Sequence, residues 1–191
     1  MNYRQKRHEL LDTLEAWDQL IPGKQKVHLI ACGGTALTLL GYKESTKDVD
    51  FLVPDEGEYR NLIRFLENAG YKNVTSFGWR RPNEAIIYDL FPGRTVYCTE
   101  LLDSPLLDRR HRKSVEWNKI YVGILNSIDL IISKMFRGSQ VDYEDVFTLF
   151  DHEDINIKEL EKRFRETASF DVSENKALKH LERLLKELKK R

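Results

Sequence analysis

Two aspartates, Asp48 and Asp50, stand two residues apart in the apolar run DVDFLV. In an extended strand, positions i and i+2 share a face, so both carboxylates project together while Val49, Phe51 and Val53 face the other way. Isolated carboxylates in a core are costly and a neighbouring pair repels itself, so positive charge is needed beside them. Two hard oxygen donors at this spacing suit a divalent cation, Mg²⁺ first and Mn²⁺ as its substitute, with phosphate oxygens supplying further ligands. The competing reading is an exposed edge strand whose aspartates face water, because Asp-x-Asp is a short and common string.

Upstream, Gly33-Gly34-Thr35 follows the apolar segment VHLIA. A glycine pair between a strand and a helix lets the backbone turn sharply and approach a ligand closely. Its amides and the N-terminus of the following helix make a phosphate cradle, with the Thr35 hydroxyl as a further donor. The string lacks the lysine of G-x-x-x-x-G-K-[ST] and is not G-x-G-x-x-G. Read alone, it fits a plain tight turn equally well.

The elements that must position these groups follow from periodicity. Residues 3–21 predict an amphipathic helix ended by Pro22-Gly23, and residues 27–31 a short strand. TALTLLGY predicts a brief helix closed by Gly41, residues 48–53 a strand stopped by Pro54, and residues 56–69 a second amphipathic helix before Gly70. YKNVTSF and EAIIYDLF read as strands with residues 79–83 between them, and a strand or irregular stretch runs from the Pro92-Gly93 turn to Cys98. DSPLLDRRHRKSVEWN reads as a polar connection, and KIYVGIL, 119–125, as a returning strand. Helices are then expected over Ser127–Arg137, Asp142–His152, Lys158–Ala168 and Glu174–Arg191, with Asn126, Asn156 and Ser173 at three of their starts. Alternating strands and helices followed by a run of helices predict an α/β (α+β) fold: a core over 1–105, then a connection and a mainly helical part over 106–191.

The bulk numbers restrict the partners. Thirty-one basic residues balance thirty-one acidic ones in 191, so no global field draws the chain to nucleic acid or membrane. Cys32 and Cys98 are far apart and in no metal or redox spacing, which fits a reducing compartment. There is no apolar run of the roughly 20 residues a membrane span needs, and the charged N-terminus lacks the apolar middle of a signal peptide. A cytoplasmic location with no membrane partner is the expectation. The histidines form no zinc-like cluster.

Strand, Gly-Gly-Thr, short helix and Asp-x-Asp strand, with thirteen residues between Gly34 and Asp48, together resemble the nucleotidyltransferase superfamily, the group with the DNA-polymerase-β-like fold. The matching text is ACGGTAL followed by TKDVDFLV. The resemblance implies a mixed sheet flanked by helices, a nucleoside triphosphate (ATP among the choices) as substrate, and a third carboxylate on a later strand. Asp89, the only charge between Ala85 and Phe91, fits that place ahead of Glu84, Glu100 and Asp103. Asp48, Asp50 and Asp89 would then be the catalytic and metal-holding residues, with Gly33, Gly34 and Thr35 on the phosphates. The implied reaction is two-metal transfer of a nucleoside monophosphate to a hydroxyl.

A narrower resemblance lies in NSIDLIISKMFRGSQVDYEDVFTLF, which is similar to the downstream block of AbiEii-type toxins and their uncharacterised nucleotidyltransferase relatives. It matches Lys134, Arg137, Asp142 and Asp145, and implies that Lys134 faces the nucleotide phosphates. It also implies a tRNA or protein acceptor, a toxin–antitoxin or defence setting, and an antitoxin or other protein partner. Those chains are usually longer, with further C-terminal elements. Read from the residues alone, Arg137 is expected to pair with Asp142 or Asp145 as a clamp. Arg80-Arg81 and the run Arg109–Lys113 could touch substrate or acceptor, or be solvated loops. The alternative function is a non-catalytic nucleotide-binding regulatory module of the same fold. An antibiotic-modifying enzyme is a weaker third reading, since a cationic drug would need an acidic pocket.

Overall fold

A computed structural model describes residues 3–191. The first expected helix is divided: β1 (Gln5–Lys6) precedes α1 (Arg7–Leu20). The reason is tertiary, because β1 pairs antiparallel with β3 (Ser45–Thr46), in the loop that leads to the aspartates. The Lys6 amide donates to Glu9 at 2.7 Å, which starts α1, and Leu10, Leu14 and Trp17 then face the core.

β2 (Val27–Ala31) runs into α2 (Gly33–Leu40), which Gly41 closes in the left-handed conformation. β4 (Val49–Val53) is followed by α3 (Glu56–Asn68), capped by the Asp55 side chain on the Glu58 amide. The two strands predicted next are shorter, β5 being Lys72–Asn73 and β7 Tyr88–Pro92, and a further strand, β6 (Gly78–Arg80), lies between them. Trp79 and Arg80, expected between strands, belong to β6 because Gly78 and Trp79 pair with Asp89 and Tyr88. A small ribbon of β8 (Thr95–Val96) and β9 (Thr99–Glu100) follows.

The expected polar connection contains a six-residue strand, β10 (His111–Glu116), antiparallel to β11 (Ile120–Leu125). β10 is the sheet's outer strand and keeps both faces largely in solvent, so it carries no apolar alternation to betray it. The full order is β10-β11-β2-β4-β7-β6-β5, with β11/β2 and β4/β7 parallel and the remaining pairs antiparallel. β4 is the middle strand of seven and every residue of it is buried. That removes the exposed-edge reading of DVDFLV.

Four helices complete the chain: α4 (Ser127–Arg137), α5 (Gln140–His152), α6 (Ile157–Ala168) and α7 (Glu174–Leu188). Asn126 and Asn156 cap as expected, whereas Ser173 makes no capping bond; its hydroxyl and amide both donate to Asp171. α7 buries Ala177, Leu181 and Leu184 against α4 and α6, so its apolar face is covered by the body. Arg163 of α6 bridges to Asp129 of α4 at 2.6 Å and to Asp103 at 2.9 Å. No helix among the described residues is long and apolar enough to cross a membrane.

Candidate active site

Asp50 lies at the centre of the sheet, 4% exposed, and Asp89 is its register partner on the parallel neighbour β7. Partners in register share a face, so topology places together two carboxylates that stand 39 positions apart in sequence. Asp48 sits one residue before β4 and is exposed. Burial pushes the Asp50 carboxyl up to about 7; the Tyr97 hydroxyl, which donates to it, pulls the other way, as do Lys134 and Arg137, while Asp89 adds to the rise. Asp89 is raised too, first by burial and then by the charge of Asp48. Burial therefore makes the charged form of both carboxylates costly, and a like charge nearby, Asp89 for Asp50 and Asp48 for Asp89, adds to the cost.

The glycine pair abuts this group. Gly33 has φ 56, and a Cβ there would lie 2.1 Å from Asp50 Oδ2. Gly34 opens onto the cleft beside it, where a Cβ would come within 2.8 Å of the Thr46 hydroxyl. Both positions thus require glycine for close approach. Thr35 corrects an expectation. Its side chain is wholly buried, its hydroxyl donates to the Asp48 carbonyl at 3.2 Å and accepts from the Asp50 amide at 2.9 Å. The single hydroxyl proton is engaged, so Thr35 ties the start of α2 to the aspartate strand rather than offering a donor to phosphate. Thr35→Val should leave a buried amide unpaired and cost about 1–3 kcal/mol, read as a lower melting temperature with unchanged secondary structure.

A cleft of about 450 Å³ opens over Asp48, Asp50 and Gly34. Its walls hold five cations, Arg4, Lys43, Lys47, Lys134 and Arg137, against four carboxylates, Asp48, Asp50, Asp142 and Asp145. Lys134, 1% exposed, pairs with Asp145 at 2.6 Å, and Lys43 reaches the other oxygen of Asp145, also at 2.6 Å. Arg137 pairs with Asp142 at 2.6 Å, the clamp that the sequence suggested. Asp142 and Asp145 are thereby paired with three of the five cations, and the wall as a whole carries one more cation than carboxylate. Asp89 is not part of this wall.

Several of these residues escaped sequence reasoning. Lys43 and Lys47 lie in the spacer between the glycines and the aspartates, and their nearness to DVD was the available signal. Arg4 arrives only through the β1–β3 pairing, bonding the Ser45 hydroxyl and carbonyl at 2.9 and 3.0 Å. Tyr97 carries no motif at all. Other candidates lie elsewhere: Glu84 pairs with Arg81, Glu100 with Arg94, and Asp103 with Arg110 and Arg163. Arg81 stacks on Tyr71 and bonds the Ala69 carbonyl. The Arg109–Lys113 run is half loop and half strand: Arg109 and Arg110 lie in the turn before β10, while His111, Arg112 and Lys113 begin it. Arg110, Arg112 and Lys113 pair with Asp103, Glu153 and Glu116.

The residues present fit a hard divalent cation. The donors are all oxygen, and the most buried of them, Asp50, is pushed to about 7 chiefly by burial. Among the described residues no three His, Cys, Asp or Glu side chains are grouped so that together they could hold a metal ion, Asp48, Asp50 and Asp89 included. A Mg²⁺-type ion needs only one or two carboxylates from the protein, which Asp48 and Asp50 could supply, with substrate phosphate oxygens and water filling its shell.

Comparison with solved structures shows the fold. The lincosamide antibiotic adenylyltransferase LnuA, in its lincomycin-bound form, aligns with a TM-score of 0.52 at 16% identity, over 77% of this chain and 98% of its own. ANT(2")-Ia in complex with adenylyl-2"-tobramycin aligns with a TM-score of 0.52 at 12% identity, over 85% and 94%. These likenesses show the nucleotidyltransferase fold, as the Gly-Gly and Asp-x-Asp pattern implied. The chain belongs to the family described as nucleotidyltransferases of unknown function (DUF6036), whose model matches residues 8–191. No curated protein matches the sequence.

Proposed function

We propose that this nucleotidyltransferase is an active, Mg²⁺-dependent enzyme that moves a nucleoside monophosphate from a nucleoside triphosphate to a hydroxyl on tRNA or protein. The observation that carries the reading is the pairing of Asp50 with Asp89 in the central sheet, directly against Gly33 and beneath a cation-lined cleft. Asp48 and Asp50 hold the cation. When bound, it screens the phosphate oxygens and stabilises the charge that develops at the α-phosphorus. The first amides of α2, at Gly33 and Gly34, and the side chains of Lys43, Lys47, Lys134 and Arg4 bind the triphosphate. Asp89, with its raised proton affinity, accepts the proton of the incoming hydroxyl. The acceptor oxygen bonds to the α-phosphorus, the bond to the bridging oxygen breaks, and pyrophosphate leaves.

The cleft's charge supports a polyanionic donor and disfavours a cationic acceptor bound against Asp142 and Asp145, which are already paired. The tRNA or protein acceptor, and with it a toxin–antitoxin or defence role with an antitoxin partner, is supported by the AbiEii-like block that supplies Lys134, Arg137, Asp142 and Asp145. Lys134→Met leaves Asp145 paired to Lys43, so the fold should survive. The triphosphate KM should rise about tenfold to a hundredfold, the loss of one charge-assisted contact.

The test is pyrophosphate release and label transfer from each α-labelled nucleoside triphosphate with Mg²⁺. Total tRNA, cell extract, lincomycin and tobramycin serve as acceptors, the last two because of the solved neighbours. Transfer to tRNA or protein that Asp50→Ala abolishes supports the proposal. Transfer only to an antibiotic would overturn the acceptor class. Metal-dependent nucleotide binding without turnover on any acceptor would favour the non-catalytic module.

A further inference from the structure

Tyr97, in the two-residue link between β8 and β9, has φ 53. This left-handed backbone is one that bulky L-residues adopt rarely and that costs energy to hold. The ring packs on Phe91, with 4.7 Å between centroids, and carries the Arg137 guanidinium at 4.2 Å. Arg137 is anchored by Asp142, which in turn makes the capping box with Ser139 at the start of α5. The phenol donates to Asp50 Oδ1, while Oδ2 of the same carboxylate packs against Gly33. Backbone strain, two ring contacts and a hydroxyl thus meet on a single carboxylate.

We propose that Tyr97 is a positioning residue: the succession Asp142, Arg137, Tyr97 holds the Asp50 carboxylate in the orientation in which it meets a divalent cation. The helical part of the molecule thereby sets the geometry of a residue in the central sheet. This inference rests on the reading of Asp50 as a cation ligand. The hydrogen bond uses one lone pair of Oδ1 and leaves others for a cation. A cap that swings aside would need a mobile ring, and this ring is held by both Phe91 and Arg137. A tyrosine kept only for packing would have no need to place its hydroxyl on the carboxylate.

The test is Mn²⁺ binding to the full chain, read by electron paramagnetic resonance with saturating α,β-methylene-ATP, for wild type, Tyr97→Phe and Asp50→Ala. Phenylalanine keeps the Cβ, the ring and both ring contacts, and removes only the donor. Tyr97→Phe should bind Mn²⁺ about tenfold to a hundredfold more weakly, with affinity for the metal-free nucleotide unchanged and a melting temperature close to wild type. Wild-type affinity in Tyr97→Phe, alongside loss in Asp50→Ala, would overturn the positioning role and leave Asp50 as the ligand. Tighter binding in Tyr97→Phe would overturn it in favour of a cap. A wild type that binds no Mn²⁺ beyond that held by the nucleotide itself would overturn both the cation reading and this inference. Arg137→Lys keeps the charge but loses the planar face, and covers the case in which Tyr97→Phe does not fold. It should weaken Mn²⁺ binding by a smaller factor, and no change there would overturn the succession.

Discussion

Asp50→Asn should lower nucleotidyl transfer by about three orders of magnitude or more, because a carboxylate that holds the cation contributes several kcal/mol of charge stabilisation. The same substitution should stabilise the metal-free protein at neutral to alkaline pH. The Asp50 carboxyl is raised from an ordinary 3.8 to about 7 by burial, so the folded state holds its proton more tightly than the unfolded one. For an acid shifted upward, stability falls as pH rises from about 4 to about 7, and the full penalty persists above that range. The gap corresponds to a few kcal/mol, about 4 at most. Asparagine removes the penalty: its melting temperature should exceed wild type at pH 8 and converge with it near pH 4. Adding Mg²⁺ with nucleoside triphosphate should raise the wild-type melting temperature far more than that of the variant. A wild-type curve that rises from pH 4 to 7 relative to Asp50→Asn would show that the buried carboxyl is neutralised by the protein itself.

Gly33→Ala should damage both folding and transfer, and the comparison with Gly41→Ala separates the causes. Both glycines have positive φ, 56 and 79, but a Cβ at Gly41 meets nothing within 4 Å, whereas one at Gly33 lies 2.1 Å from Asp50 Oδ2. Gly41→Ala should therefore cost only the backbone conformation, about 1 kcal/mol. Gly33→Ala adds a clash with a carboxylate held on its other oxygen by Tyr97. The loss should reach about 3 kcal/mol, and transfer should fall about a hundredfold through misplacement of Asp50 on the scale of an ångström. Denaturant unfolding of the two variants, run beside label transfer, reads both quantities. Equal effects at the two positions would mean that Asp50 moves freely, contrary to the contacts that hold it.

The sequence by itself determined the local elements and the central motif. VHLIA, the Gly-Gly turn, the short helix ended at Gly41 and the strand of DVDFLV are each specified by neighbours in the chain: apolar runs, a left-handed terminator and the two-residue alternation of a strand. The four C-terminal helices were legible through their apolar faces, and two of them also through their caps, Asn126 and Asn156. Only the tertiary structure decided which side chains meet. Asp89 reaches Asp50 through the parallel register of β4 and β7, and Arg4 reaches the cleft through a two-residue ladder that overrode the helical pattern of its segment. Lys134 and Arg137 come to the cleft from α4, and Tyr97 arrives from a link without any pattern. The second half of the basic run, which reads as a solvated loop, became the start of an outer strand, and Arg110, Arg112 and Lys113 found carboxylate partners. Periodicity records which way a side chain faces along its own element. It carries no information about pairing register or the partner of a buried charge, because those depend on contacts between residues far apart in the chain.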